Sequence, residues 1–284
     1  MKKLILLCSA LLATVAVRAE GYQVNTLSAK QLGMGHVGTG MKLNSESIYF
    51  NPAGTAFQKE KFTFSIGMTG ILSNVTYLSN NDYLGDPLIE AKSDNKISTP
   101  LYAYLNYKPT ENLAIGLGFY TPYGSSMNWG DNWAGAHLIQ SINLKAYTFQ
   151  PTVSYKLWDR LSIGVGVTVT WGSFDLSRSM FPVGATTNNT IAAMLTAAGY
   201  AEYAPIFSQA GDRALVGAKL NGDAQVAFGA NVGIMWDINK HWTVGFSYRS
   251  KMMMKVKEGA ARLNYASPEI GEILRATGMI PDLS

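Results

Sequence analysis

Long stretches of strict alternation between apolar and polar residues constrain this chain most. In LSIGVGVTVTW, residues 161–171, Leu, Ile, Val and Trp fall on one face, and Ser, Gly and Thr fall on the other. The same alternation runs through AQVAFGANVGIMW at 224–236 and HWTVGFSYRSKMMMKVK at 241–257. A period of two predicts β-strands, and ten or more residues are enough for a tilted strand to cross a bilayer.

A repeated sequence motif predicts short turns between these strands. YKPTENLAIGLG starts at Tyr107, YKLWDRLSIGVG at Tyr155 and WDINKHWTVGFS at Trp236, each with an aromatic residue, a short polar turn and a new apolar start. Between the short turns lie longer polar connections, at 79–95, 124–141 and 179–221. Strict alternation of short turns and long loops is typical of outer-membrane β-barrels. A soluble secreted β-sandwich, which composition alone leaves open, would show shorter strands and no such asymmetry.

The pattern predicts seven strands, which leave two sheet edges without a partner. Unpaired edges are not tolerated in hydrocarbon, and bacterial single-chain barrels normally have an even number of strands. We therefore expect this chain to be the N-terminal half of a larger barrel; a small barrel closed by oligomerisation is the alternative. The predicted strands are 61–78, 96–108, 112–123, 142–156, 160–178, 222–236 and 241–257.

The first residues are predicted to be a signal peptide, residues 1–19. A basic start, a run of 14 apolar residues and a small residue, Ala19, at the cleavage site indicate export. Cleavage would remove the lone cysteine, Cys8, so we expect no disulfide framework and no thiol chemistry. It would leave 20 basic and 19 acidic residues, a balance that gives no support to nucleic-acid binding.

Motifs that could suggest an enzyme fail in context. Gly33-x-Gly35-x-x-Gly38 spells a dinucleotide fingerprint, but it neither follows a strand nor opens a βαβ unit. The three histidines are far apart and lack metal-ligand spacing. His137 and Ser141 form the closest Ser/His pair for a hydrolase, without a nucleophile elbow. We expect no catalysis, no metal and no cofactor.

Residues 21–54, GYQVNTLSAKQLGMGHVGTGMKLNSESIYFNPAG, resemble the mature N-terminus of the long-chain fatty acid outer-membrane transporters of the FadL/TodX type. The resemblance continues through NWGDNWAGAHL and residues 218–252. It implies an all-β fold, an antiparallel transmembrane β-barrel of 14 strands, of which about seven are present here. It also implies an N-terminal hatch at 20–60 that plugs the lumen. The partial barrel would occupy 61–284, with helical external loops at 179–221 and 258–284.

The resemblance implies an outer-membrane channel for passive uptake of hydrophobic compounds, above all long-chain fatty acids. A ligand would settle in a groove between two outer loops, enter an inner pocket and leave through a gap in the wall. That gap would come from a kink in the third strand, against which the hatch packs. An aromatic hydrocarbon as cargo and a non-functional fragment are the alternatives. Outer-membrane lipid, the barrel-assembly machinery and a monomeric full-length protein complete the expectation, with no nucleic acid.

Five residues match the family's functional positions. Asn51, Pro52 and Ala53 match the hatch motif that packs on the kink, and Gly124 matches the kink glycine, although an ordinary turn glycine is the alternative. Arg178 matches the arginine near the ligand carboxylate, where a guanidinium would suit bidentate binding. A rim arginine in water is its alternative, and the family's partner lysine would lie beyond residue 284.

Apolar residues at helical spacing in the two outer loops are the predicted groove lining. Ser267, Pro268 and Gly278 predict a short helix there, and helices packed on each other are a compatible alternative to a groove. A basic stripe from Arg249 to Lys257 faces inward, as either a solvated wall or an anion path. The predicted lining residues are Ile191, Met194, Leu195, Ile206, Phe207, Ile270, Ile273 and Leu274.

Overall fold

The computed structural model describes residues 23–79 and 89–280, so the predicted signal peptide lies outside the described residues. Ten β-strands dominate this part of the chain. None of its helices is long or apolar enough to cross a membrane. The strands are β1 (Phe62–Met68), β2 (Thr76–Ser79), β3 (Ile89–Lys92), β4 (Leu101–Tyr107), β5 (Leu113–Asn128), β6 (Ser141–Trp158), β7 (Leu161–Ser179), β8 (Val216–Asp237), β9 (Thr243–Arg249) and β10 (Gly259–Tyr265).

The main sheet is antiparallel, in the order β1-β4-β5-β6-β7-β8-β10, with β9 also paired to β8. β9 pairs with the last residues of β8 and β10 with the first, so together they follow one path along that strand. The hairpin of β2 and β3 likewise prolongs β1 and β4. In the described ranges the ten strands thus trace seven paths across the wall, as the sequence predicts for a partial barrel.

Alternation explains why these residues form a wall with two different faces. On β8, Val226, Phe228 and Val232 are exposed on the outer face, whereas Asn231 and Met235 are fully buried on the inner face. Exposed apolar side chains are stable there only against lipid, and the polar inner face is typical of barrel lumens. The predicted fold class is therefore confirmed.

The strand ends differ from the prediction at the outer rim. β8 begins at Val216 instead of residue 222, and it pairs there with β10, a strand that the sequence did not predict. The predicted strand 241–257 is correct only as far as Arg249, because residues 250–257 are irregular. Strand segments above the bilayer need no apolar outer face, so β10 and the first residues of β8 lack the period-two signal. At 250–257 the alternation is present without a strand, so it did not define where β9 ends.

In the described part of the chain, five α-helices lie before the sheet and in the outer loops, and the last of them is α5 (Pro268–Ala276). α5 begins as predicted, because the Ser267 side chain accepts a hydrogen bond from the Ile270 N–H and Pro268 occupies the first turn. Gly278, at φ 69°, follows its end. The helices are α1 (Ala29–Gly33), α2 (Ser47–Phe50), α3 (Ala185–Ala197), α4 (Ala204–Ser208) and α5 (Pro268–Ala276).

Candidate functional site

The described part of the hatch, residues 23–60, is a chain of short helical turns on the inner face of the sheet. After α1 and α2 it ends in a 3-10 helix, Pro52–Phe57. Asn51 is extended and caps that helix, since its Oδ1 accepts a hydrogen bond from the Ala53 N–H at 3.1 Å. Pro52 at the first position needs no donor there. The Asn-Pro-Ala motif is therefore a rigid helix start.

The motif packs on β7 and β8. Asn51 Nδ2 donates to Ile234 O of β8 at 3.1 Å, and Ser162 Oγ of β7 donates to Ala53 O at 2.7 Å. Two wall glycines make room: a Cβ added to Gly164 would lie 2.4 Å from the Pro52 carbonyl carbon, and one on Gly233 would lie 2.0 Å from Asn51 Oδ1. Only glycine fits these two close approaches.

The predicted contact between this motif and the kink at Gly124 is wrong; Gly124 lies in β5, which is the third strand of the sequence prediction. A Cβ added to Gly124 would meet Leu144 O at 3.5 Å and Val24 Cγ2 at 3.8 Å, and no atom of the motif. Beside Gly124 the hatch contributes Val24, one of its first described residues, whereas Ile48 meets the same strand at Gly116 and Gly118. The motif's carbonyls and Asn51 amide can be satisfied only where the wall offers matching donors and acceptors, and β7 and β8 supply them.

Long polar side chains of the inner wall fix the hatch further. Gln150 Nε2 donates to Ile48 O at 2.7 Å, and Asn231 Nδ2 donates to Tyr49 O at 3.0 Å. These two carbonyls belong to the end of α2, where a helix leaves carbonyls without internal partners. Asn106 Nδ2 similarly donates to Thr55 O at 3.2 Å. The wall thus caps the hatch helices from β4, β6 and β8.

A positive charge holds the far end of the hatch. Lys108, in the short turn after β4, donates from Nζ to Gln58 O at 3.0 Å. Burial lowers the pKa of the Lys108 ammonium, and the nearby positive charge of Lys156 lowers it further.

The wall is interrupted between β4 and β5. Their pairing ends at Tyr102 and Tyr120, where the Thr121 hydroxyl takes over the bond from the Leu101 N–H at 3.0 Å. The ladder between β5 and β6 also shifts by one residue between Tyr120 and Tyr123, a bulge that contains Pro122. Because proline cannot donate to a ladder, it is accommodated in bulges.

The first described hatch residues close this interruption. Val24 N–H donates to Pro122 O at 2.8 Å, and Gln23 forms an antiparallel bridge with Tyr123. The hatch therefore pairs with the edge of β5 through one isolated bridge and one backbone hydrogen bond, a minimal form of the pairing used when one segment completes another's sheet. We name the opening covered by these residues, beside β5 residues 121–127, the wall gap.

β5, the third strand of the sequence prediction, does not end at the kink, contrary to the prediction. After the bulge, pairing with β6 resumes, with Gly124 opposite Lys145, and continues to Asn128 opposite Ser141. The predicted strand end at residue 123 is therefore wrong, while an irregularity at Pro122 is present. A bulge lets a strand pass a proline without ending.

The predicted groove residues form a packed core. Ile191, Leu195, Phe207, Ile270, Ile273 and Leu274 are buried in one apolar cluster joining α3, α4 and α5. Ile206 packs against this cluster, whereas Met194 is 56% exposed. Helix packing, the compatible alternative, is thus observed, and lining a ligand groove stays a prediction for these residues.

Truncation within this core is expected to loosen the outer loops. Leu195→Ala would remove a fully buried side chain, and such changes cost roughly 2–5 kcal/mol. The half-exposed neighbour provides the matched control, because Met194→Ala removes few packed atoms. Chymotrypsin cleavage near Tyr200 and Tyr203 in intact cells would measure this; equal cleavage of both variants would contradict the packed core.

Arg178 lies at the outer end of β7, opposite Ala218. By alternation it shares the inner face with Thr168 and Thr170, and its side chain is exposed. No ion pair joins it to another described residue. The position is compatible with a ligand contact and with a rim arginine.

A cavity of about 380 Å³ lies between the hatch and the wall, and we name it the hatch cavity. Val24, Leu27 and Phe50 give it apolar surface, and Arg249 of β9 gives it a cation. Sequence reasoning put Arg249 on the inner face but did not single it out, nor Gln150 or Asn231. Alternation predicts that such residues point inward, but it does not predict which hatch residues they contact. The described residues hold no cluster that could bind a metal ion.

A family model described as "Outer membrane protein transport protein (OMPP1/FadL/TodX)" matches residues 10–280. The chain belongs to this family. Members of the FadL/TodX family are outer-membrane proteins, so this chain is an outer-membrane β-barrel protein. The relatives named below are transporters or outer-membrane proteins, and none is named as an enzyme.

Two curated relatives show how much of a family member is present. A putative outer membrane protein of Neisseria meningitidis serogroup B is 30% identical over 274 residues, which are 92% of this chain and 55% of the relative. The long-chain fatty acid transport protein of Escherichia coli K12 is 27% identical over 278 residues, 95% of this chain and 60% of the relative. The chain thus spans just over half the length of these relatives.

Solved structures agree on the fold. The crystal structure of a Pseudomonas aeruginosa FadL homologue matches with a TM-score of 0.63 and 18% identity, over 92% of this chain and 59% of that one. The Pseudomonas putida toluene transporter TodX matches with a TM-score of 0.53 and 17% identity, over 78% and 57%. Both share the architecture of the partial barrel described above.

Proposed function

We propose that this protein takes part in passive uptake of hydrophobic compounds, long-chain fatty acids above all, and releases them sideways through the wall gap. The observation that carries the proposal is the interrupted ladder beside β5, where the backbone of Gln23 and Val24 covers the opening. Elsewhere the hatch is held by side chains from several strands. Movement of these two hatch residues would open a path without removing the plug.

Sideways release suits an apolar cargo. A hydrophobic molecule gains free energy when it passes from the lumen into the hydrocarbon of the bilayer, and it gains none by entering the periplasmic water. Opening the wall gap exposes backbone groups of β5 near Pro122, which is costly in lipid. Pairing with Val24 satisfies them when no ligand passes, so the closed state is the stable one.

The proposed cargo is supported by the names of the relatives and by one positively charged side chain. The Escherichia coli relative is named a long-chain fatty acid transport protein, and an exposed inward arginine, Arg178, supports recognition of a carboxylate. The apolar outer-loop core supports first binding there, by parting of α3 and α5. An aromatic hydrocarbon is the second candidate, favoured by the likeness to a toluene transporter.

Uptake assays separate these candidates. Expression in a strain without its own fatty acid transporter is expected to restore uptake of labelled oleate well above the empty strain. Arg178→Ala is expected to reduce oleate uptake while toluene uptake stays unchanged. Equal loss of both would refute the carboxylate role, and no uptake of either compound would refute the channel.

A further inference from the structure

Arg249 is a cation inside the hatch cavity with spare donors. Its guanidinium lies over the Tyr49 ring, 3.9 Å from the centroid, and Nη2 donates to Tyr49 O. Nε is buried and has no hydrogen-bond partner among the described residues. An arginine carries five N–H donors in a planar fork, so the contacts with Tyr49 leave Nε available for another acceptor.

The described hatch and wall supply no acid for this cation. Their ion pairs join Lys30 to Glu46, Lys42 to Asp237 and Lys92 to Glu90. Glu46, the buried acid of the hatch, is already bonded by the hydroxyls of Ser28 and Ser65. A desolvated charge without a counterion is costly, and an aromatic face offsets only part of that cost. The arginine is therefore suited to an anion from outside.

The lining of the cavity combines polar and apolar residues, which suits an amphipathic anion. Val24, Leu27 and Phe50 supply its apolar surface, and its polar groups come from Gln23, Asn25, His36, Thr39 and Ser247. Val24 is also the residue that closes the wall gap. A molecule with its acid at Arg249 and its chain toward Val24 would lie beside the segment that must move for release.

We propose that Arg249 anchors the carboxylate of a fatty acid in the hatch cavity. The proposal rests on the uptake function above and deepens it, since it gives the acid a second binding place far from Arg178. Arg178 lies at the outer end of β7, whereas Arg249 pairs across the sheet with Asn231 beside the hatch. The cargo would pass from the outer cation to the inner one before release.

A purely structural role is the rival, because Arg249 also bonds the hatch at Tyr49 O. The pair decanoate and decan-1-ol separates the two roles, since these ligands differ in charge and share a chain length. Equilibrium dialysis of the full chain held in amphipol would measure binding of each. Arg249→Gln keeps an amide donor and loses the charge, and Arg249→Lys keeps the charge. Arg262→Gln, an exposed arginine on β10, is the matched control.

We expect Arg249→Gln to weaken decanoate binding about tenfold or more and to leave decan-1-ol within about twofold. Arg249→Lys should keep part of the preference for the acid, and Arg262→Gln should change neither ligand. Equal weakening of both ligands by Arg249→Gln would overturn the proposal. If Arg249→Gln loses its folded heat-modifiable band, Arg249→Lys decides instead, and equal weakening of both ligands in that folded variant would overturn the proposal. Failure of the wild-type chain to bind either ligand would instead count against the uptake function.

Discussion

A disulfide between residues 23 and 123 is expected to reduce fatty acid uptake to the level of the empty strain. Gln23 and Tyr123 are paired across an antiparallel bridge, where Cα atoms lie about 4.5–5.5 Å apart, a span that disulfides bridge. The double variant Gln23→Cys/Tyr123→Cys would fasten the hatch strand over the wall gap. Labelled oleate uptake before and after reduction is the measurement.

Reduction makes each sample its own control. Uptake should return when dithiothreitol opens the bond, and either single cysteine variant should transport normally under oxidising conditions. The only cysteine of the chain, Cys8, lies in the predicted signal peptide, so no native thiol of the mature chain competes. Undiminished uptake by a fully oxidised double variant would mean that cargo leaves by another route.

A valine at Gly164 is expected to dislodge the hatch or prevent folding. Its Cβ would lie 2.4 Å and 2.5 Å from backbone atoms of Pro52 and Ala53, and backbone cannot move aside as a flexible side chain can. Overpacking of this kind costs roughly 1–3 kcal/mol, and more where nothing can relax. The urea concentration at which the heat-modifiable band disappears should fall clearly below that of the wild type.

Gly124→Ala, on β5 and two strands away from Gly164, is the control. There a new Cβ would meet nothing closer than 3.5 Å, so the urea midpoint should stay close to that of the wild type. If Gly124→Ala destabilised the protein as much as Gly164→Val, close contact with the hatch would not be the cause. A selective loss of uptake without loss of stability would instead support a role for Gly124 beside the wall gap.

The sequence predicted the wall better than its rim. Between the two interfaces, lipid on one side and lumen on the other impose a period of two, so β6 and β7 begin and end within two residues of the prediction. Beyond the bilayer that constraint is lost. β10 and the first residues of β8 therefore show no alternation, and the sequence predicts loops there.

The site was predictable only as separate residues. Local chemistry identified Asn51-Pro52-Ala53 as a tight polar turn, and Pro122 as a place where a strand must become irregular. The wall residues that these segments contact could not be predicted from the sequence, because the contacts depend on which wall residues offer hydrogen-bond donors in the folded sheet. Gly164 and Gly233 looked like any other inward glycine of the alternating pattern. The close approach that requires them is a property of the assembled sheet.

The bonds between wall and hatch have a consequence for the order of folding. Asn231 and Arg249 reach back 182 and 200 residues to Tyr49. Contacts so distant along the chain form slowly, because a long loop must close before any of them stabilises the fold. The hatch is synthesised before the wall, yet Tyr49 can be bonded by Asn231 and Arg249 only after β8 and β9 have joined the sheet. During assembly the hatch therefore remains unfastened at Tyr49 until these later strands are in place.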